Sequence, residues 1–369
     1  MAARRAHGDG VLCFATQGHA HGDARRMRLL LTDVSPSEYR FERSHKLRSS
    51  LGLWREVRAR RPALVVMEGT GVAGGLTLLA IDALLGVPYI VVSGDAVGPF
   101  LGLHSRAMGV LGGLYERLLC RRCAGYVGWT PYLAGRALTL GAPRAMSAPG
   151  WSSGQPAPGA RGRVRARLGV DEHTLLVGLV GSLHWNERVG YAYGVELVRA
   201  IRRVSRRDVA VCVVGDGDGL PRLRELAGED LGVRVLLPGR VPAGDVADHL
   251  AAFDLASLSQ SVDGVGSFRY TIKLSEYLAA GLPVISGQTP LAYDLDAGWI
   301  WRLPGDAPWS PVYVDALVEL LETLTPEAVA TRRTALREAH LSIFDRSLQR
   351  RRVGEFVTDI RAERERRAA

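Results

Sequence analysis

Lys273 and Glu276 stand three residues apart in a segment whose apolar residues recur with helical spacing. The predicted helix begins after a polar loop and ends at Gly281, just before an apolar strand. Residues three apart share one face of a helix, so the ammonium can meet a phosphate while the carboxylate accepts hydrogen bonds from ribose hydroxyls. A surface ion pair would show the same spacing. The chain contains only two lysines, Lys46 and Lys273, and this scarcity favours the functional interpretation.

A second cluster follows the apolar run 175–180, where Gly181 and Ser182 open a polar loop that leads into a predicted helix. The Ser182 hydroxyl, the Arg188 guanidinium and the amides at the start of that helix are groups that can hold a diphosphate. The only asparagine of the chain, Asn186, lies in the same loop. An ordinary turn from strand to helix would have a similar sequence, so both interpretations stay open at this point.

A third cluster, GDGDG at 215–219, suggests two kinds of site. A dinucleotide-binding turn requires a third glycine where Leu220 stands, so we do not expect a nicotinamide cofactor. Asp216 and Asp218 offer carboxylate oxygens of the kind that hold Mg²⁺ or Mn²⁺ in single-domain sugar transferases. The two-sheet organisation described next argues against that architecture, and we predict neither a metal nor a cofactor.

The elements that would position these residues alternate between strands and helices along the chain. Amphipathic stretches such as 71–85 and 104–122 separate apolar runs of strand length. This alternation predicts an α/β chain with two Rossmann-like domains, each a doubly wound parallel sheet, whose ligand-binding edges face a shared cleft. The predicted strands are 10–16, 28–31, 63–67, 89–93 and 124–129 in the first domain, and 175–180, 209–214, 233–237, 255–257 and 283–286 in the second.

The domain boundary is predicted by a stretch rich in glycine, proline, serine and arginine at 149–163, which interrupts the alternation. The expected organisation is a first domain, a linker, a second domain and a charged terminal helix able to lay one apolar face across its neighbours. The corresponding ranges are 1–150, 151–163, 164–346 and 347–369.

The positive charge of the chain is concentrated in its first part. Residues 1–150 hold 19 Arg and Lys against 10 Asp and Glu, so they carry the whole net charge of +9. Such a surface suits an anionic membrane or a phosphorylated acceptor, and equally a merely solvated exterior; without a recognition motif we expect no nucleic-acid partner. The predicted helix at 107–122, with Arg117, Arg121 and Arg122 near its end, is the candidate for peripheral membrane contact, a core helix being the alternative.

The expected location is cytoplasmic, with any peripheral contact on the inner face of the membrane. Four scattered cysteines favour a reducing compartment, and Cys120 and Cys123 lack the second cysteine pair or nearby histidine of a zinc site. The basic residues 1–5 are not followed by the apolar stretch of a signal peptide. Charged residues, glycines and a proline interrupt the longest apolar region, 63–92, so it predicts no membrane span.

In content and order, the clusters of the second domain resemble the glycosyltransferase family 4 group and its GT-B relatives. Besides Gly181, Ser182 and Arg188, the similarity rests on VGDG at 214–217, LPGRV at 237–241 and KLSEYLAAGLPV at 273–284. The first domain matches less closely, through the loop at 18–23 and the segment 141–151. Residues 347–364 would correspond to a terminal helix that crosses back to the first domain.

The resemblance implies a role for each domain and for particular residues. The second domain would bind a nucleotide-diphosphate sugar and the first an acceptor. Glu276 would bind ribose, while Lys273 and Arg188 would neutralise the leaving diphosphate without a metal. The loop at Gly239, Arg240 and Val241 would present backbone groups to the nucleobase. The remaining donor-binding residues that we infer are Gly22, Gly181, Ser182, Gly215, Asp216, Ser267 and Leu274.

The sequence departs from the family pattern at one position. The paired glutamates of the family stand eight residues apart, and Phe268 occupies the position of the first while Glu276 matches the second. Asp263 and the amides of residues 264–267 are possible substitutes for the missing contact to the donor sugar. The identities of the sugar and the base therefore stay open.

The resulting hypothesis is a nucleotide-sugar-dependent glycosyltransferase that retains anomeric configuration and acts on a lipid-linked, cell-envelope or natural-product glycan. An inverting relative would need a protein base, for which His19, His21, Asp23 and Asp95 are candidates by their predicted strand-end positions. We select His21 and Asp95 as the catalytic candidates of the first domain. The alternative hypothesis is a catalytically inactive nucleotide-sugar-binding protein, which the substitution at Phe268 would explain.

Overall fold

The computed structural model describes residues 10–152 and 154–368. The expectations about residues 1–9, about Ser153 of the linker and about Ala369 of the terminal helix lie outside this range. Within it, two parallel sheets of six strands each are flanked by helices, which confirms the predicted fold class. The strands are β1 (Val11–Ala15), β2 (Ser37–Glu38), β3 (Leu64–Glu68), β4 (Tyr89–Ser93), β5 (Gly125–Gly128), β6 (Ala145–Ser147), β7 (Leu175–Val180), β8 (Val209–Val214), β9 (Val235–Gly239), β10 (Leu255–Leu258), β11 (Val284–Ser286) and β12 (Ile300–Arg302).

The helices alternate with the strands, except that two helices follow β4 and three follow β12. Several begin with a serine or threonine cap followed by proline, as at Thr130, Ser310 and Thr325, where the cap hydroxyl accepts a hydrogen bond from an amide of the first turn. The helices are α1 (Gly22–Leu30), α2 (Lys46–Arg60), α3 (Val72–Leu85), α4 (Val97–Gly102), α5 (Arg106–Arg122), α6 (Pro131–Thr139), α7 (Ala160–Leu168), α8 (Val195–Ile201), α9 (Leu220–Ala227), α10 (Val246–Ala252), α11 (Thr271–Ala279), α12 (Leu291–Asp294), α13 (Pro311–Thr323), α14 (Pro326–Glu338) and α15 (Arg346–Ala368).

The chain divides into two compact units. The first comprises the residues up to Gly150 together with those from Ser342 onward, and the second comprises Trp151–Leu341. The chain therefore returns to its first unit through α15, whose Val353, Val357 and Ile360 are buried there. A Cβ built on Gly125 of β5 would lie 2.7 Å from Ile360, so α15 packs closely on this sheet.

Each sheet changes its winding direction once. The first has the order β2-β1-β3-β4-β5-β6, with the change at β1 and β3, and the second has the order β12-β11-β10-β7-β8-β9, with the change at β7 and β10. Strands such as β3 are buried along their whole length, as expected for parallel sheets covered by helices on both faces. In open α/β sheets, ligands bind beyond the carboxyl ends of the strands where the winding changes.

One predicted strand is wrong. Residues 28–31 lie in α1 and at its end, and the second strand of the chain is instead the two-residue β2. The buried residues Ala24, Met27 and Leu30 recur every three positions, which is helical spacing rather than the alternation of a half-buried strand.

The segment predicted as a linker also contains regular structure. Helix α7 begins at Ala160, inside the range 151–163. Its Arg165 is buried and donates to the carboxylate of Asp254 at 3.3 Å and to the carbonyl oxygen of Ala252 at 2.9 Å. Within the predicted linker itself, Arg161 donates to the carboxylate of Asp254 at 2.7 Å, so the end of this segment is fixed within the second unit.

Candidate functional site

Three loops of the second unit meet where β7, β8 and β9 end. The amide of Gly181 donates to the carbonyl oxygen of Val214 at 2.9 Å, and the amide of Leu183 donates to that of Asp216 at 3.0 Å. The amide of Gly215 donates in turn to the carbonyl oxygen of Gly239 at 3.0 Å. These bonds continue the sheet ladder beyond the strands, so the predicted donor-site residues Gly181, Gly215 and Gly239 lie side by side.

The glycines at 215–219 are explained by this close approach. A Cβ built on Gly215 would lie 1.8 Å from the Gly181 carbonyl oxygen, and one built on Gly217 would lie 2.5 Å from the carbonyl oxygen of Leu183. A Cβ on Gly219 would lie 2.6 Å from that same oxygen. The spacing that resembled a dinucleotide-binding turn therefore allows backbone to pack on backbone.

The two aspartates of this segment make local hydrogen bonds. Oδ1 of Asp216 accepts from the amide of Gly217 at 2.8 Å, and Oδ1 of Asp218 accepts from the amide of Trp185 at 2.8 Å. No cluster of three or more histidine, cysteine or acidic side chains able to hold a metal ion occurs among the residues described. Asp218 thus fixes the loop after β7.

Lys273 lies at the start of α11 and reaches the loop after β7. A Cβ built on Gly181 would lie 2.5 Å from its Cε and 3.1 Å from its Nζ, so a side chain at position 181 would displace the lysine from this place. The ammonium is 3.5 Å from the ring centroid of Tyr193. It forms no ion pair within 4 Å with any residue in the described part of the chain.

The first turn of α11 is open at its amino end. Tyr270 precedes the helix, and no side chain caps it. The amides of the first turn lack intrahelical acceptors, and the helix dipole places partial positive charge at this end. One turn later, Tyr277 anchors the helix to the sheet, because its hydroxyl accepts from the Val180 amide at 3.2 Å and donates to the Ser257 carbonyl oxygen at 3.3 Å.

Glu276 is half-buried on the same helix. Burial raises the pKa of its carboxyl group, and Lys273 opposes this shift. None of the donors in the described residues makes a hydrogen bond to its carboxylate. Lys273 and Glu276 thus combine opposite charges with unused hydrogen-bonding capacity.

Thr271, the first residue of α11, has φ +52°, which is a left-handed conformation that β-branched residues rarely adopt. Its Oγ1 is buried without a hydrogen-bond partner in the described structure. Strained residues of this kind cluster at ligand-binding segments. The strain lies two residues from Lys273, at the end of the helix where an anion would bind.

Asn186, Arg188 and Ser182 occupy the exposed loop between β7 and α8. Oδ1 of Asn186 accepts from the Arg188 amide at 3.0 Å, and its own amide donates to the carbonyl oxygen of Tyr191 at 2.8 Å. The single asparagine therefore shapes a turn. Arg188 and Ser182 are exposed, whereas α8 begins at Val195 with a buried first turn.

The segment proposed to replace the missing glutamate is held by internal bonds. Both oxygens of Asp263 accept hydrogen bonds, from the amides of Val265 and Gly266 and from the Ser261 hydroxyl, at 2.7–2.8 Å. The Ser267 amide donates to the Asp263 carbonyl oxygen at 3.1 Å. These amides are engaged in this conformation, so a role in sugar binding would require the loop to rearrange.

Other predicted donor residues differ in exposure. The side chain of Leu274 is completely buried, which leaves only its backbone for a ligand. Arg240 is exposed and Val241 is half-buried, directly after the end of β9. Gly22 lies in the first unit, as the first residue of α1.

Glu196 is a buried residue of the second unit that sequence reasoning missed. Its carboxylate accepts hydrogen bonds from Ser259, from the Tyr191 hydroxyl at 3.0 Å, from the Gly194 amide at 3.1 Å and from the Ser257 hydroxyl at 3.4 Å. Burial raises the pKa of Glu196. The network ties the loop before α8 to the end of β10.

Two further residues of this region, Tyr193 and Gln260, were missed as well. Nε2 of Gln260 donates to the Tyr193 hydroxyl at 3.1 Å and to the Ser259 carbonyl oxygen at 2.7 Å. Gln260 therefore fixes the ring over which the Lys273 ammonium lies. No spacing rule in the sequence connects these positions.

In the first unit, the winding change at β1 and β3 carries a buried ion pair. Nη1 of Arg26 donates to Oε2 of Glu68 at 3.1 Å, and Nε1 of Trp129 donates to Oε1 at 3.0 Å. The guanidinium also lies 4.5 Å from the Trp129 ring centroid and donates to the Ala148 carbonyl oxygen. Burial raises the pKa of Glu68 to about 7, against the opposing effect of Arg26, and Asp23 raises it further.

The predicted bases of the first unit lie near this pair or on neighbouring loops. His21 is exposed and caps α1, where its Nδ1 is 3.2 Å from the Asp23 carboxylate. His19 is exposed in the loop before α1. Asp95 follows β4, and its amide donates to the Ser93 hydroxyl at 3.2 Å. His21 and Asp23 form one contact, whereas Asp95 belongs to a different loop.

Residues 174–322 match the family model described as Glycosyl transferases group 1. This range begins after α7 and contains all the strands from β7 to β12. It therefore includes all three loops and α11. No curated protein is similar enough in sequence to count as a match.

Solved structures of similar fold extend the likeness to both units. HepE from Anabaena, in complex with UDP, is 13% identical with a TM-score of 0.67 and covers 95% of this chain and 100% of its own. Sucrose-phosphate synthase from Thermosynechococcus elongatus is 14% identical with a TM-score of 0.70, over 96% and 100% of the two chains. The α,α-trehalose 6-phosphate synthase from Burkholderia multivorans is 13% identical with a TM-score of 0.62, over 98% of each chain. At these identities the likeness shows the fold.

Proposed function

We propose that this chain, in which residues 174–322 match the group 1 glycosyl transferase model, is a GT-B glycosyltransferase whose donor is a nucleoside-diphosphate sugar bound at the start of α11. The observation that carries the proposal is the position of Lys273, which lies against Gly181 without an ion-pair partner among the described residues. A diphosphate placed there would meet the ammonium and the open amides of α11. Arg188, on its exposed loop, would supply the second positive charge.

The nucleoside would lie along the neighbouring loops. The Glu276 carboxylate has free acceptor capacity for ribose hydroxyls, and the backbone at Gly239, Arg240 and Val241 follows the end of the adjoining β9. UDP is the first nucleotide to test because HepE, which has a similar fold, was solved with UDP.

The proposed reaction needs no metal, since Lys273, Arg188 and the helix end would stabilise the negative charge of the departing diphosphate. The bond from the anomeric carbon to the phosphate oxygen breaks, and a bond from that carbon to the acceptor oxygen forms. A phosphate oxygen takes the acceptor proton, and attack on the same face retains configuration. Anomeric analysis of the product by NMR tests this; inversion would instead implicate a base such as His21 or Asp95.

The acceptor is proposed to be a hydroxyl of a lipid-linked, cell-envelope or natural-product glycan that binds to the first unit. The excess of basic residues in that unit would suit an acceptor that carries phosphate. A cytoplasmic location is part of the same proposal.

The donor site can be tested by thermal unfolding in the presence of UDP, GDP, ADP and TDP, with Mg²⁺ or with EDTA. A ligand at 100 times its Kd stabilises the folded state by about 2.7 kcal/mol. We expect one nucleotide to stabilise the wild type and Glu225→Ala, an exposed glutamate on α9, but not Glu276→Ala. The stabilisation should persist in EDTA.

The possible results separate the hypotheses. If no nucleotide stabilises the wild type at millimolar concentration, the proposed donor site is wrong. Stabilisation without hydrolysis or transfer of any nucleotide sugar would instead support the inactive binding protein. Turnover of the donor would exclude that alternative.

A further inference from the structure

Helices α4 and α5 expose an unusual number of large apolar side chains. Val110 and Leu111 are each 65% exposed, and Leu114 is 61% exposed. We call this surface the α4–α5 face. Its apolar members are Phe100, Leu103, Met108, Val110, Leu111, Leu114 and Leu118.

The packing of the two helices explains why these side chains point outward. A Cβ built on Gly98 would lie 3.0 Å from the Cα of Gly113, and one on Gly109 would lie 3.0 Å from the Cα of Gly102. Glycines therefore form the contact between α4 and α5, while the leucines lie on the outside. This arrangement is the reverse of an ordinary surface helix, whose apolar residues face the core.

The exposed charges of the face are all positive. Arg106, Arg117 and Arg121 are exposed and form no salt bridge with a described residue. Glu116, the only carboxylate between 97 and 122, is buried, and its oxygens accept hydrogen bonds from Arg136 at 2.8 and 2.9 Å. The face thus combines apolar side chains with unpaired arginines and exposes no acidic residue.

We propose that the α4–α5 face docks on the surface of an anionic phospholipid bilayer, with its apolar side chains in the interfacial region and its arginines at the lipid phosphates. An amphipathic surface of this composition lies in the plane of the membrane, and basic side chains near anionic lipid add to the binding. The proposed contact is peripheral, with the face in the plane of the bilayer; none of the helices in the described part of the chain is long and apolar enough to cross a membrane. The proposal goes beyond donor chemistry and concerns where the enzyme acts.

The charges favour lipid over a second copy of the chain. In a two-fold contact the same surface meets itself, so Arg106, Arg117 and Arg121 would approach their own copies. Repulsion between like charges and the absence of an exposed carboxylate on the face oppose such a dimer. Lipid phosphates supply the complementary charge.

Co-sedimentation with vesicles tests the proposal. Wild-type protein is expected to bind vesicles of phosphatidylglycerol and phosphatidylcholine, and the variant Leu111→Glu/Leu114→Glu to bind at least about tenfold more weakly, because burial of one leucine contributes about a factor of ten or more. The matched control is Val233→Glu, which alters a 69% exposed residue of the second unit. Thermal unfolding of each variant checks that the fold is intact.

A second pair of variants tests the role of charge. Arg117→Gln/Arg121→Gln should weaken binding to anionic vesicles, whereas Arg224→Gln, an exposed arginine on α9, should leave it unchanged. Equal binding of the wild type to anionic and purely phosphatidylcholine vesicles would overturn the proposal. So would a wild-type dimer that Leu111→Glu/Leu114→Glu converts to monomer without any vesicle binding. Donor hydrolysis in the absence of vesicles should be unchanged in these variants, so failure here is distinguishable from failure of the proposed function.

Discussion

The two units use charged residues differently at equivalent places in their sheets. In the first unit, Glu68 at the winding change is buried and engaged by Arg26 and Trp129. In the second unit, Lys273 and Glu276 lie beside the winding change and receive no hydrogen bond or ion pair at the ammonium or carboxylate from the described residues. The same topology therefore positions a buried ion pair in the first unit and an open binding site in the second.

The comparison separates two kinds of perturbed carboxyl group. Burial raises the pKa of both Glu68 and Glu276. At Glu68 two donors already occupy the carboxylate, so its role is cohesion of the first unit. At Glu276 the carboxylate accepts no hydrogen bond from the described residues, so we assign it a role in binding a ligand. The direction of the pKa shift alone does not distinguish the two carboxylates, whereas the number of hydrogen-bond donors to each carboxylate does.

Removal of the buried ion pair of the first unit should have the largest effect on the free energy of unfolding. Glu68→Ala leaves the Arg26 guanidinium buried without its carboxylate, which costs about 3–5 kcal/mol of unfolding free energy. Urea unfolding followed by tryptophan fluorescence measures it. The control is Arg60→Ala, which removes an exposed arginine from a surface pair with the half-buried Glu56 and should cost about 0.5 kcal/mol or less. Equal losses of unfolding free energy in the two variants would mean that the buried contacts of Glu68 do not stabilise the first unit.

The second unit can be disturbed through its loop contacts. Gly215→Ala places a methyl group within 1.8 Å of the Gly181 carbonyl oxygen and should destabilise the unit by about 3 kcal/mol. Gly244→Ala is the control, because a Cβ there meets no atom within 4 Å. Urea unfolding compares the variants, and nucleotide binding should be lost only in Gly215→Ala. A neutral Gly215→Ala would contradict the close packing of these loops.

Removal of the Lys273 ammonium should affect activity rather than stability. Lys273→Ala is expected to lower kcat/KM about a hundredfold, since it removes a cation that stabilises the leaving diphosphate. Lys46→Ala, which alters the only other lysine, should leave kcat/KM unchanged; it is exposed at the start of α2. Steady-state assays with the donor found by thermal unfolding provide the measurement. A loss below twofold would remove Lys273 from the proposed site.

The smallest expected effect is the pH dependence of the first unit. Because Glu68 has a folded-state pKa of about 7 against an ordinary 4.5, its protonated form is favoured by folding. The associated stability is present below pH 4.5 and is lost as the pH rises through 7, with about 2 kcal/mol lost between pH 5 and 7. The difference in unfolding free energy between wild type and Glu68→Gln should fall by that amount over this range. Parallel curves for the two proteins would contradict the shift.

Much of the fold could be predicted because long apolar runs mark the central strands. The predicted 89–93, 175–180 and 209–214 agree with β4, β7 and β8 at both ends. The short strands β2 and β12 were missed, since two or three residues carry no periodicity, whereas β6 lies in the segment 141–151, which the family resemblance indicated as a helix-strand unit. Residues 28–31 were misassigned because a run of three leucines, at 29–31, does not distinguish a buried helix from a strand.

The candidate site was predictable where residue type was unusual. The rarity of lysine drew attention to Lys273, and the structure places it against Gly181 of the other predicted cluster. Asn186 is equally rare, yet it forms a turn. Glu68 was overlooked although it ends an apolar run, which is itself a signal of a buried carboxylate. Arg26 gave no such signal, because basic residues surround it in the sequence.

The discontinuous first unit has a consequence for synthesis of the chain. The side chain of Gln349 exchanges two hydrogen bonds with the backbone of Gly150, at 2.9 and 3.0 Å, across a separation of 199 residues. On the ribosome, the first unit therefore cannot gain this contact or the packing of α15 until the residues of α15 have been translated. The second unit, although later in sequence, is fully translated first, so the order of completion is the reverse of the usual order from the N-terminus.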